Sequence, residues 1–262
     1  MEQGSLSMKM IIGNWKMHLG IRESVAYARG VLHITVGHDV LPEVVICPSF
    51  TALSEVRKVL VRTRVALGAQ TMGTERFGAY TGDVSVAQLD DAGCGFVLIG
   101  HSERRAMNGE TDAVVNTKMK LIAQTSLVPI LCVGEPKAAR DAGNAEAYVI
   151  GQIHEALRGV TLSSSSRLIV AYEPLWAIGK GEAATVADVV AMHTAIRNAL
   201  KTLYKTIALQ VIYGGSVDGA HAYQLLREQS IDGVLVGGAS LKIHEFEAIV
   251  NAGREVMTAQ NI

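Results

Sequence analysis

Leu209-Gln210-Val211-Ile212-Tyr213-Gly214-Gly215-Ser216 and, further along, Gly233-Val234-Leu235-Val236-Gly237-Gly238 share one signature, an aliphatic run closed by two glycines. Each run is apolar almost without alternation. That suits a strand covered on both faces in a parallel sheet better than a half-exposed antiparallel one. Comparable runs lie at Met10 to Ile12, Val44 to Ile46, Val65 to Ala69, Phe96 to Ile99, Val128 to Val133 and Leu168 to Tyr172, which brings the number to eight. Helical spacing fills the intervals. From Thr185 to Leu200, for example, Val186, Val189, Val190, Ala191, His193 and Ile196 fall among polar positions.

Eight strand-helix units in 262 residues, with no Pro/Ser-rich linker and no break in composition, predict an α/β chain folded as a single closed (β/α)8 barrel of eight parallel strands. An open doubly wound sheet is the alternative. Met1 to Ser7 have neither the apolar stretch nor the charged lead of a signal peptide and read as a frayed or appended end. Residues 8 to 262 are therefore expected to form the one barrel domain.

Composition narrows the function. With 49% apolar and 19% charged residues, the chain is too hydrophobic to be disordered. It also has no run of the ~18 apolar residues that a spanning helix needs. Lys and Arg number 24 against 25 acidic residues, a net charge of −1, so neither nucleic acid nor a membrane is an expected partner. Any anionic ligand must be held locally. Cys47, Cys94 and Cys132 are odd in number and far apart, with no C-x-x-C pair. They predict neither a disulfide framework nor zinc, and fit reduced cytosol. Cys132 reads as a packed thiol. The eight histidines show no H-E-x-x-H arrangement, so no metal is expected.

Glycines mark the carboxyl ends of the strand runs: Ile12-Gly13, Ile99-Gly100, Val133-Gly134, and the pairs Gly214-Gly215 and Gly237-Gly238. Barrel enzymes place their sites at this end, with a recurrent phosphate site after strands 7 and 8 where bare backbone N–H groups meet an anion. Ser216 adds a hydroxyl. Three connections, Gln70 to Ala87, Glu135 to Ala147 and Glu173 to Ala184, exceed a tight turn and are candidates for functional loops.

Three strand ends carry chemistry. Lys16 follows strand 1, His101 follows strand 4 and Glu173 follows strand 6. Each alone is readily a solvated or capping group; together they suit one reaction. A carboxylate can take a carbon-bound proton beside a carbonyl, a neutral imidazole can polarise that carbonyl, and a lysine can stabilise the developing enolate. An enediolate bearing phosphate can expel it, so a lid must close. Pro174 stiffens the start of such a lid, and Gly179 and Gly181 free its far end. Gly179 to Ala184 also fits a G-x-G-x-x-A pattern, but it trails its strand and lacks the following acid of a dinucleotide fingerprint.

Five motifs in order resemble triosephosphate isomerase: Gly13-Asn14-Trp15-Lys16-Met17, Gly100-His101-Ser102-Glu103-Arg104-Arg105, Ala171 to Gly179, Tyr213-Gly214-Gly215-Ser216-Val217 and Val236-Gly237-Gly238-Ala239-Ser240-Leu241. The resemblance spans nearly the whole chain and implies a TIM barrel. It also implies interconversion of dihydroxyacetone phosphate and D-glyceraldehyde 3-phosphate with no cofactor or metal. Glu173 as base and His101 as neutral electrophile are roles carried over from the family, not worked out from the residues alone. The resemblance further implies that Asn14 and Lys16 touch substrate oxygens and that Glu103 sits beside Lys16. Gly179, Ser216, Gly237 and Gly238 would donate to phosphate, and Arg197 with Asp232 would form a structural ion pair. It implies a homodimer built through the loop from Gln70 to Asp83, with Thr81 reaching the partner.

Departures from the common family pattern fall outside the catalytic groups: Thr71 for Asn, Asp83 for Glu, His18 for Asn, and Lys180 and Glu182 in the lid. They bear on lid kinetics and dimer strength. Two other functions remain open at this point, a paralogous isomerase of tetrulose phosphates using the same groups, and a non-catalytic phosphate-binding barrel.

Overall fold

The computed structural model describes residues 8–177 and 184–260; the expectations for Met1 to Ser7, and for Gly179, Lys180, Gly181 and Glu182, lie outside them. In chain order come β1 (Met10–Asn14), α1 (Ile21–Thr35), β2 (Glu43–Cys47), α2 (Leu53–Leu60), β3 (Val65–Ala69), α3 (Val86–Asp91), β4 (Phe96–Ile99), α4 (Ser102–Met107) and α5 (Asp112–Ile122). They are followed by β5 (Val128–Val133), α6 (Lys137–Asp141), α7 (Ala145–Leu157), β6 (Arg167–Tyr172), α8 (Val186–Leu203), β7 (Ala208–Tyr213), α9 (Gly219–Leu226), β8 (Gly233–Val236) and α10 (Ile243–Ala259).

Every strand pairs in parallel with its successor, and β8 returns to β1 in the register Met10 to Gly233 and Gly13 to Val236. The expected (β/α)8 barrel is therefore closed, with no free edge. Gly233 is required at that seam, since a Cβ there would lie 2.2 Å from the Met10 carbonyl oxygen.

The uninterrupted apolar strands produce two cores. Met10, Ile12, Val45, Cys47, Phe96, Leu98, Ile130, Cys132, Ile169, Ala171, Ile212 and Leu235 fill the barrel. Alternate residues such as Ile11, Val44, Ile46, Val97, Leu131 and Val170 face the helices. The period of two along each strand sorts them. At the end of the barrel opposite the glycine pairs, Arg167 reaches across from β6 to Glu43 of β2 (Nη1 to Oε1, 2.9 Å) and donates from Nε to Gln210 Oε1 at 2.7 Å.

Helix starts follow local chemistry. The Thr185 hydroxyl accepts the Asp188 N–H to begin α8, and Ser85 and Gln88 form a reciprocal capping box on α3. The connection from Glu135 to Ala147, long by sequence, is interrupted by α6 and the start of α7. That from Gln70 to Ala87 stays irregular until Val86, and is pinned at its base by the Gly73 N–H on the Val84 carbonyl at 2.8 Å.

Candidate active site

The strand carboxyl ends enclose a cavity of 390 Å³ lined by Asn14, Lys16, His101 and Glu173 on one side and by Gly214 to Val217 and Leu235 to Ala239 on the other. Of the residues singled out from sequence, Asn14, Lys16, His101, Glu173, Ser216, Gly237 and Gly238 are brought together here. Glu103 stands behind Lys16, and Gly179 lies outside the described residues.

Lys16 adopts the left-handed region at φ 53°, which costs a non-glycine residue free energy and must be imposed by its surroundings. Its N–H donates to Asn14 Oδ1 at 3.0 Å, and its carbonyl accepts from Gln70 Nε2 at 2.7 Å. Its ammonium meets Glu103 Oε1 at 2.5 Å. Gly237 leaves room for the lysine stem, because a Cβ there would lie 3.0 Å from Lys16 Cε.

His101 caps α4, and the tautomer of its ring follows from its partners. Nδ1 accepts the Glu103 N–H at 3.3 Å, so the ring proton resides on Nε2. That nitrogen lies 3.1 Å from Glu173 Oε1. Asn14 Nδ2 is 3.3 Å from the same nitrogen. Asn14 Oδ1 accepts the Lys16 N–H, so Asn14 Nδ2–H and His101 Nε2–H both stand at the cavity wall, the imidazole N–H engaged by Glu173 Oε1.

Glu173 is only 3% exposed. Besides His101, it receives the Ser102 N–H on Oε2 at 2.9 Å. Two glycines make its slot: a Cβ on Gly134 would fall 1.7 Å from the Glu173 carbonyl oxygen, and one on Gly214 would fall 2.9 Å from Glu173 Cγ. Burial pushes the Cys132 thiol well up, with Glu173 adding to the rise, and Cys132 faces the barrel core as the packed thiol expected.

The opposite wall is main chain. Gly237 leads into a short 3-10 turn, Gly238–Leu241, whose first N–H groups have no partner within the turn. A Cβ at Gly238 would meet nothing within 4 Å. Ser240, fully buried, donates to the Gly237 carbonyl at 2.7 Å and fixes the turn. The Ser216 hydroxyl donates to the Ala177 carbonyl at 3.2 Å.

Sequence reasoning missed Glu135. Fully buried, it accepts from Trp176 Nε1 at 2.6 Å and from Tyr172 Oη at 3.1 Å. Arg140 stacks over the Trp176 ring, 3.9 Å from its centroid, and pairs with Asp188 at 3.2 Å. The signal was present, for Glu135 follows Val133-Gly134 at a strand end as His101 follows Ile99-Gly100. Arg197 and Asp232 pair at 2.7 Å, away from the cavity lining. Among the described residues, no group of three or more His, Cys, Asp or Glu side chains could hold a metal ion, and no helix is long and apolar enough to cross a membrane.

A family model described as triosephosphate isomerase matches residues 9–253. The triosephosphate isomerase of Roseiflexus sp. (strain RS-1) is 45% identical over 245 residues, which cover 92% of this chain and 96% of that protein. That of Herpetosiphon aurantiacus is 44% identical, covering 92% and 97%, and that of Thermus thermophilus is 41% identical, also covering 92% and 97%.

Proposed function

The chain belongs to the triosephosphate isomerase family, and from that premise we propose that it interconverts dihydroxyacetone phosphate and D-glyceraldehyde 3-phosphate through an enediolate, using no cofactor or metal. The observation that carries the proposal is the convergence of Glu173, His101, Asn14 and Lys16 on a cavity whose far wall is glycine backbone.

Glu173 takes the proton from the carbon beside the carbonyl. The electron pair moves into the carbon-carbon bond and onto the carbonyl oxygen, which sits where the His101 Nε2–H and Asn14 Nδ2 converge. The Lys16 ammonium stabilises the charge that develops there. His101 passes its Nε2 proton to one oxygen and recovers a proton from the neighbouring hydroxyl, and Glu173 returns its proton to the adjacent carbon. Before the first step Glu173 gives up both the Ser102 N–H and the His101 Nε2–H, which frees the carboxylate for the substrate carbon and the imidazole N–H for the carbonyl oxygen. Glu103 holds Lys16 in position. General acid-base catalysis contributes ~10² to 10⁴-fold, and preorganised donors at the oxygen contribute about 3 to 4 kcal/mol each.

Backbone donors at Ser216, Gly237 and Gly238 hold the phosphate, joined by Gly179 from the lid. This accords with a chain whose net charge of −1 offers no general attraction for anions. The exposed loop after β3, with Phe77 and Tyr80 bare, covers itself in a homodimer in which Thr81 approaches the partner's Lys16. Residues 8 to 262 act as one barrel domain in the cytoplasm. Purified protein assayed with each triose phosphate in turn, coupled to the appropriate dehydrogenase, tests the proposal; turnover in both directions that persists in excess chelator is expected, and absence of turnover rejects it.

A further inference from the structure

The turn after β7 is held from below by a residue outside the reaction. His221, on the first turn of α9, places Nδ1 3.1 Å from the Ser216 carbonyl oxygen. A carbonyl can only accept, so this nitrogen carries the proton and donates. The residue is fixed at two further points, one on its backbone and one on its ring. The His221 N–H donates to the capping carboxylate of Asp218 at 2.8 Å, and the imidazole packs edge-on against Tyr213, with centroids 6.0 Å apart and planes at 70°. Tyr213 lies directly under the turn, for a Cβ on Gly215 would fall 2.1 Å from its hydroxyl oxygen.

We propose that His221 is a positioning residue for anion binding: by gripping the Ser216 carbonyl it sets the Ser216–Val217 peptide plane, which aims the Val217 N–H and anchors the Ser216 backbone at the cavity wall. The inference rests on the reading of this wall as the phosphate site. The Ser216 hydroxyl proton is engaged by the Ala177 carbonyl. Main-chain donors are aimed only as well as the peptide planes that carry them. Gly214 and Gly215 supply little conformational restraint of their own. Tyr213 supports the turn under Gly215, and the His221 hydrogen bond fixes it one residue further on, between the glycine pair and the start of α9.

Two substitutions separate the donor from the ring. His221→Phe keeps the packing on Tyr213 and removes the donor, whereas His221→Asn keeps a donor and removes the ring. The competitive inhibition constant of inorganic phosphate is expected to rise about two- to tenfold in His221→Phe, the range one neutral hydrogen bond spans. KM for triose phosphate should rise with it and kcat change less. His221→Asn should recover most of the loss. Amide hydrogen exchange at Ser216 and Val217, measured without ligand, should accelerate in His221→Phe and return toward wild type in His221→Asn. If His221→Phe fails to fold, His221→Ala serves with the same readouts. Unchanged exchange and unchanged inhibition in the donor-less variant overturn the proposal, as does equal loss in both variants. If wild-type protein is not competitively inhibited by phosphate, the site reading fails instead, and the exchange rates judge the brace alone.

Discussion

His101 presents Nε2 to Glu173 Oε1 at 3.1 Å while its Nδ1 accepts the Glu103 N–H at 3.3 Å. A backbone donor thus dictates which ring nitrogen holds the proton, and the protonated one faces the cavity beside the carboxylate. His101→Gln keeps polarity but loses this aimed ring N–H. It is expected to lower kcat by ~10²-fold or more with a smaller change in KM. Steady-state kinetics check this, and a kcat within threefold of wild type would remove His101 from the chemistry.

Glu135 secures the segment that follows the base. Glu135→Leu leaves the Tyr172 hydroxyl without its acceptor in a buried setting and is expected to cost about 1 to 3 kcal/mol of stability. Glu135→Gln, which retains an acceptor oxygen, should cost less. Thermal melts of both variants beside wild type, with Trp176 fluorescence as a local probe, test the ordering.

His193 gives the fold a defined acid sensitivity. Burial in α8 lowers its pKa from 6.5 to about 3, with nearby Arg197 adding to the fall and the Ser230 hydrogen bond opposing it. The folded protein therefore keeps the ring neutral where the unfolded chain binds a proton. Its contribution is complete above pH 6.5 and is lost progressively as pH falls from there toward 3, by up to about 1.4 kcal/mol per pH unit. Urea midpoints between pH 7 and 4.5 should fall more steeply for wild type than for His193→Gln; parallel slopes would show that His193 does not titrate on unfolding.

The loop after β3 should be an interface. Phe77 is 86% exposed and Tyr80 50%, an apolar pair that monomeric surfaces rarely concentrate on one loop. Sedimentation should give a dimer. Thr81→Arg should yield folded monomer with strongly reduced kcat, because Lys16 then lacks the partner loop beside it. A fully active monomer would contradict that arrangement.

Some of this was legible in the residues because strands buried on both faces declare themselves. The apolar runs at Val65 to Ala69, Phe96 to Ile99, Val128 to Val133 and Gly233 to Val236 coincide with β3, β4, β5 and β8. β1 runs on to Asn14, a polar residue that hydrophobicity leaves out but that strand pairing carries into the site. Long-range partners were legible only where the family resemblance supplied them, as for Lys16 with Glu103 and Arg197 with Asp232. Arg167 meets Glu43 across the barrel, 124 residues apart in the chain, and Gln70 fixes Lys16 from 54 residues away; no local pattern encodes such pairs. The Ser216 hydroxyl contact with the Ala177 carbonyl is of the same kind, joining the segments that follow β6 and β7.

Glu173 is assigned the transfer of a carbon-bound proton between the two triose phosphates. Measuring kcat/KM for both substrates with wild type and with Glu173→Asp tests it most directly, because the shorter side chain keeps the charge and withdraws the carboxylate from the carbon. Turnover in both directions is expected of wild type, with a fall of about 10²-fold or more in Glu173→Asp at unchanged fold. Wild-type protein that interconverts neither substrate, or a Glu173→Asp variant as active as a functional wild type, would remove Glu173 from this role.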